Sequence, residues 1–177
     1  MSRTEVRICG LGGQGVVLAG QILGRAAVYM GKNAVQTQSY GAEARGSAAK
    51  SEVIISSDRI LFPKVRRCDL MVAMSQPALD AYIHDVKEEG RLLVDSDLVA
   101  KLPTNLKVHK VAATQISRSE LGSALFANVV MLGALTRITQ LVSGEAMKKA
   151  ISKSVAADTE ATNHKAFQLG FTFHESD

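Results

Sequence analysis

The stretch "VRICGLGGQGVVLAGQIL", residues 6–23, decides how the rest of the chain is read. An apolar run turns sharply through glycine, and apolar residues then resume at helical spacing. Gly10, Gly12 and Gly15 spell G-x-G-x-x-G, with Gly13 as an extra glycine. That spacing, after a strand and at the start of a helix, is the dinucleotide-binding fingerprint. Glycines lacking Cβ let backbone N–H groups approach a ligand, and Gln14 and Gly15 begin a helix whose free N–H groups favour phosphate. A tight turn that needs glycine only for packing is the competing reading.

The nicotinamide version of this motif expects an acid about 20 residues on, at the end of the second strand, to hold a ribose hydroxyl. Here the window reads "KNAVQTQSY", residues 32–40, with no Asp or Glu. An NADP site would want Arg there, and Lys32 lies before the strand. The spacing therefore supports a phosphate more than a hydride-transfer cofactor.

Outward from that loop, strands and helices alternate. Strands are expected at 4–9, 33–39, 49–56, 69–75, 90–97 and 106–112. Helices are expected from Gln14 to about Met30, from Ser75 as N-cap through residue 86, and over 123–142, 144–154 and 158–170. Most strands are continuous in apolar residues, which implies a sheet covered on both faces. The expected architecture is α/β: a three-layer α/β/α domain with a largely parallel, Rossmann-like sheet and a helical C-terminal third, spanning 1–177 as one domain. Ligands collect at the carboxyl ends of strands in such folds. Those ends are Gly10–Gly15, Ser39–Gly46, Ser75 with Gln76, and Asp95–Asp97.

With 46% hydrophobic and 21% charged residues the 177-residue chain has an ordinary globular composition. No Trp and few aromatics argue against a base-stacking nucleic-acid platform. Cys9 and Cys68 stand far apart with no CxxC or Cys/His cluster, so they read as buried free thiols rather than metal ligands or a disulfide. The N-terminus lacks a signal-like apolar region, and "ALFANVVMLGALTRITQLV" is broken by Asn128, Thr136 and Arg137, so a cytoplasmic protein without membrane spans is expected. Residues 1–50 carry six Lys or Arg against two acids, while 51–177 carry fifteen of each. That imbalance is either scatter or a local field for an anion.

The second unusual stretch, "QTQSYGAEARGS" (residues 36–47), sets Tyr40, Glu43 and Arg45 among small residues on a loop at a strand end. Arg45 can grip a phosphate or carboxylate bidentately, or simply pair with Glu43. Asp95 and Asp97 fit strand-end capping better than metal binding. The four histidines are scattered, with no nucleophile elbow beside them. The helix around "ANVVMLGAL" is apolar nearly all round and belongs to the core or lies against another chain. No catalytic residue and no metal ligand set emerges, so the chain reads as part of an enzyme.

Taken with "VAMSQPALDAY", "LLVDSDLV", "ANVVMLGALTRI" and "ATNHKAFQLGF", the two loops make residues 5–171 resemble the gamma subunit of 2-oxoacid:ferredoxin oxidoreductases. Ala42 and Ser47 depart from the usual proline and glycine. The resemblance implies a subunit of an oxidoreductase complex that oxidatively decarboxylates a 2-oxoacid to an acyl-coenzyme A, the isolated chain being inactive. It implies coenzyme A contacts from Gly12, Gly13, Gln14, Gly15, Val16, Tyr40, Glu43 and Arg45. It also implies thiamine diphosphate and 4Fe–4S clusters on alpha, beta and ferredoxin-like delta partner subunits, with ferredoxin as acceptor. A homodimer is the alternative for the isolated chain. The acid used is read mainly by other subunits, so only its class is implied. A free-standing Rossmann-type dehydrogenase and a non-enzymatic nucleotide-sensing or scaffold domain are the other readings.

Overall fold

The computed structural model describes residues 3–40 and 48–173. Six strands, β1 (Arg3–Leu11), β2 (Asn33–Ser39), β3 (Ala48–Ser56), β4 (Cys68–Ala73), β5 (Val86–Asp95) and β6 (Lys107–Val111), form one sheet in the order β2-β3-β1-β4-β5-β6. The helices are α1 (Val16–Tyr29), α2 (Gln76–Tyr82), α3 (Ala113–Leu121), α4 (Ala127–Thr139), α5 (Gly144–Ser152) and α6 (Glu160–Phe171).

The sheet is mixed. β1–β4, β4–β5 and β5–β6 are parallel, but β3 runs antiparallel to both β1 and β2. The reason is the length of the connection: a return to a parallel register needs a crossover of about a dozen residues or more, and β2 ends at Ser39 while β3 begins at Ala48. These two strands form a hairpin, and β3 is inserted between β2 and β1. Because β1 and β2 both oppose β3, their carboxyl ends lie on the same sheet edge. Leu11 pairs with Ala48 and Ser39 with Lys50, so the glycine loop and the residue 40–47 connection leave that edge as near neighbours.

Alternation along the strands divides the core in two. Val6 and Ile8 of β1, Val53 and Ile55 of β3, and Leu70 and Val72 of β4 face a layer built from α1, α4, α5 and α6. Cys9, Ile54, Met71, Leu92 and Val94 face Ala78 and Leu79 of α2. The second layer is thin, since α2 has seven residues and gives way to a 3-10 turn at Ile83–Asp85. The helix expected through residue 86 therefore stops early, and β5 starts at Val86 with a register shift against β4.

Arg7 alternates onto the thin face and is 1% exposed. Its guanidinium donates to Glu52 Oε1 at 2.6 and 2.9 Å and pairs with Asp85, and it lies 5.4 Å from the Tyr82 ring centroid. Burial opposes its charge, yet the two carboxylates outweigh burial and raise its pKa. A charge this deep is tolerated only when paired and hydrogen-bonded. Cys9 and Cys68 are both free and buried, and burial pushes their thiols up to about 12 and about 11.

The helical third contains one element that the hydrophobic pattern does not announce. α3, "ATQISRSEL", is largely polar and begins directly after β6. α4 and α6 interlock by glycine: a Cβ on Gly133 would stand 2.2 Å from the Phe167 carbonyl oxygen, and one on Gly170 would stand 1.9 Å from that of Val130.

Candidate functional site

The loop between β1 and α1 takes its shape from two left-handed glycines, Gly13 at φ 93° and Gly15 at φ 71°. Gly15 is the N-cap of α1, and no side chain caps that helix. The first-turn N–H groups of a helix have no acceptor within it, and no acid stands in this first turn. Among the described residues a Cβ on Gly12 or Gly13 would meet nothing within 4 Å, so toward them the outer face of the loop is open. The arrangement leaves first-turn backbone donors at a positive helix end, with room for an anion to approach.

Two side chains hold this loop in place. Gln14 turns inward: its Oε1 accepts from Leu11 N at 2.6 Å, its Nε2 donates to the Met74 carbonyl at 2.8 Å, and its own N–H reaches Leu11 O at 3.2 Å. Gln14 thus builds the turn, while Gly12, Gly13, Gly15 and Val16 present backbone. The Val16 side chain is buried. Asn128, 3% exposed at the start of α4, donates from Nδ2 to the Gly15 carbonyl at 3.1 Å. In sequence Asn128 only interrupts an apolar helix. Nothing local links it to a glycine 113 residues earlier.

Of the other site residues expected from sequence, Tyr40 follows β2 on the same edge and is 64% exposed. Glu43 and Arg45 lie outside the described residues. Ser75 and Gln76 are committed to structure: Ser75 caps α2, and Gln76 Oε1 accepts from Ala100 N and Lys101 N at 3.0 and 2.8 Å. Asp95 and Asp97 cap α3. Asp95 accepts from Thr114 Oγ1 at 2.5 Å, and Asp97 accepts from Gln115 N at 2.6 Å. Burial pushes the Asp95 carboxyl above its ordinary value, against the opposing effect of the Thr114 hydrogen bond.

The early cations do not gather at the glycine loop. Arg3 lies at the opposite edge, Arg7 is sequestered by carboxylates, and Arg25 and Lys32 bond the carbonyls of Lys153 and Leu141. Lys50 is nearer the loop but sits 3.2 Å from Glu52. For the described residues, the charge imbalance of the first fifty positions is scatter. A Ser152–His164–Glu160 group joins α5 and α6, but Ser152 Oγ and Glu160 Oε1 share one ring nitrogen, His164 Nε2, at 2.8 and 3.5 Å. A nucleophile relay needs the acid on the other nitrogen. Among the described residues no three His, Cys, Asp or Glu side chains group as metal ligands, and no helix is long and apolar enough to cross a membrane.

The topology also accounts for the missing ribose acid. In a dinucleotide fold the strand beside β1 ends near the pyrophosphate, whereas here β3 begins there with Ala48 and Ala49.

A family model described as pyruvate ferredoxin/flavodoxin oxidoreductase matches residues 5–173. This chain belongs to that family. It is 53% identical to the 2-oxoglutarate synthase subunit KorC of Methanocaldococcus jannaschii, over 96% of this chain and 92% of that one. Against the pyruvate synthase subunit PorC of the same organism identity falls to 29%, over 94% of each chain. Among solved structures, the gamma subunit of a keto/oxoacid ferredoxin oxidoreductase from Geobacter sulfurreducens superposes with a TM-score of 0.85 at 47% identity, covering 95% of this chain and 96% of that one. Within the family the chain is a gamma subunit, one part of a multisubunit 2-oxoacid oxidoreductase. The free-standing dehydrogenase is not favoured.

Proposed function

We propose that this gamma subunit binds the phosphate-bearing part of coenzyme A in a cytoplasmic complex that converts 2-oxoglutarate to its acyl-coenzyme A. Gly12, Gly13, Gly15 and Val16 supply backbone donors, Gln14 holds the loop's shape, and Tyr40, Glu43 and Arg45 close the site from the β2–β3 connection. The observation that carries this reading is the uncapped start of α1, open at Gly12 and Gly13 and already held in shape by Gln14 and Asn128. A phosphate there gains charge-assisted hydrogen bonds without reordering the loop. The choice of acid is supported by the gap between 53% and 29% identity within one organism.

In this reading the chain is one domain that orients the thiol-bearing substrate and helps assemble the complex. The described residues offer no donor set for iron–sulfur clusters, which are assigned to the beta and ferredoxin-like delta subunits. Thiamine diphosphate on alpha and beta supplies the carbanion chemistry of decarboxylation when bound. The overall reaction would form the coenzyme A thioester with release of carbon dioxide and the thiol proton, and the clusters of the partner subunits would supply the route by which two electrons reach ferredoxin.

The test is steady-state kinetics of the assembled complex. Arg45→Ala raises the KM for coenzyme A by about 10- to 150-fold if the contact is desolvated, corresponding to roughly 1.5–3 kcal/mol, with the KM for the 2-oxoacid unmoved. Arg45→Lys keeps the charge and loses the fork, so it falls between. Gly13→Val is worse, because a branched Cβ at positive φ strains the turn and fills the open face. 2-Oxoglutarate is turned over with a higher kcat/KM than pyruvate. Intact coenzyme A kinetics with dissociated subunits in Arg45→Ala would make the loop an interface element instead.

A further inference from the structure

The edge opposite the glycine loop carries a feature that coenzyme A binding does not use. Between β3 and β4 the chain runs "SDRILFPKVRR", residues 57–67, with Arg59, Lys64, Arg66 and Arg67 against the single acid Asp58. All five charged residues are exposed. At the tip Leu61 is 82% exposed and Phe62 45% exposed, side by side. Isolated exposed apolar residues are ordinary, but an adjacent pair on a rigid, cationic support is not.

The support is built in. Val65 is buried in the thin-face core, Ile60 packs against the same cluster, and the buried Arg7 reaches the Val65 carbonyl at 3.5 Å. Arg3 donates to the Phe62 carbonyl at 3.3 Å. The Arg66 guanidinium lies 5.2 Å from the Phe62 ring centroid, and Pro63 restricts the backbone of Phe62. Beside the ring is a recess of about 310 Å³ lined by Arg3, Glu5, Phe62, Lys64 and Arg66. Glu5 is spent on Arg3 at 2.6 Å, which leaves Lys64 and Arg66 as the charges facing the recess.

We infer that residues 57–67 form a docking loop for an acidic protein surface on another chain of the same complex, with Leu61 and Phe62 entering an apolar depression and a partner carboxylate entering the recess between Lys64 and Arg66. An apolar anchor flanked by arginine is the composition of an interface centre, and the net charge of +3 on the segment selects an acidic partner. A ligand phosphate alone would leave Leu61 uncovered. The inference rests on membership of a multisubunit family and not on the coenzyme A assignment. β1 runs from this edge to the glycine loop, a span of roughly 26 Å at about 3.3 Å per residue, so the two sites can be perturbed separately.

The experiment measures association of the full-length chain with the remaining purified chains of the complex by titration calorimetry at two salt concentrations. Leu61→Asp, at a position too exposed to unsettle the fold, weakens association at least tenfold, and Leu61→Met restores it. Arg66→Glu weakens association and reduces its dependence on salt. In whatever complex still forms, the KM for coenzyme A is that of the wild type. Wild-type affinity in both Leu61→Asp and Arg66→Glu overturns the inference. So does a changed KM for coenzyme A without loss of association, or binding to phosphatidylserine vesicles that Leu61→Asp abolishes while assembly is untouched.

Discussion

Asp95 is fully buried at the end of β5, and three donors converge on it: Thr114 Oγ1, Thr114 N and Asp97 N. Burial still raises its pKa, because those donors do not repay the desolvation of a full charge. The folded protein therefore takes up this proton at a pH where the unfolded chain is still ionised. The resulting stabilisation is complete below the ordinary carboxylate value and is lost as pH rises through the folded-state value. In Asp95→Asn that proton uptake is absent. The stability of the wild type relative to Asp95→Asn, from thermal or denaturant unfolding, should grow as pH falls from neutral toward about 4. A gap that stays flat or shrinks would show that the hydrogen bonds, not burial, dominate the carboxyl. The assignment of Asp95 and Asp97 to capping is readable from "VDSDL", since short acids after a strand serve the next helix start. Their actual client, α3, is not readable. Its polar sequence gives no apolar stripe of its own, and its start is specified by side chains eighteen or nineteen positions earlier.

At the scale of elements the tightest joint is α4 against α6. Helix propensity alone makes Gly133→Ala stabilising by up to about 1 kcal/mol. Against this, a Cβ there would meet backbone atoms of Phe167, Phe171 and Gly170 at 2.2, 2.7 and 2.9 Å. Backbone cannot swing aside as a side-chain tip can, so overpacking wins. Gly133→Ala lowers stability by about 1–3 kcal/mol, and Gly133→Leu by more, read as a fall in Tm. A rise in Tm would mean that the two helices separate at no cost. The apolar periphery of "ANVVMLGAL" shows a helix enclosed on every side, but not that its neighbour is α6 of the same chain. The hairpin is within reach of sequence reasoning: two adjacent strands separated by so few residues cannot be parallel neighbours. The expectation of a largely parallel sheet holds for five of the six strands, and apolar continuity, which reports burial on both faces and not strand direction, could not single out β3 as the reversed one.

For the molecule as a whole, the chain is one subunit of a multisubunit 2-oxoacid oxidoreductase. The described residues hold no nucleophile relay and no metal donor set, while the loop at the carboxyl edge is finished to the level of individual hydrogen bonds. The purified chain alone should produce no acyl-coenzyme A from any 2-oxoacid with ferredoxin as acceptor, and turnover should return on adding the remaining subunits. Acyl-coenzyme A formation by this chain free of other subunits would remove the gamma-subunit account of its function. The glycine fingerprint and the alternation of strands and helices place the proposed site on the fold. What they do not contain is the pair of restraints, Gln14 to Met74 and Asn128 to Gly15, that turn a flexible glycine run into a fixed one.

The second of those restraints would make the proposed coenzyme A affinity a property of the entire chain. Asn128 ties Gly15 to α4, and α4 is in turn packed closely on α6 at Gly133 and Gly170. A substitution at that distant seam, touching no ligand atom, should weaken binding by the fraction of time the seam stands open. By the same linkage a bound ligand should protect α4 and α6 amides from hydrogen exchange, far from where it sits. The loop is in this sense a gauge of whether the C-terminal third has finished folding, and a chain that has lost that third should keep its glycine motif and lose its ligand.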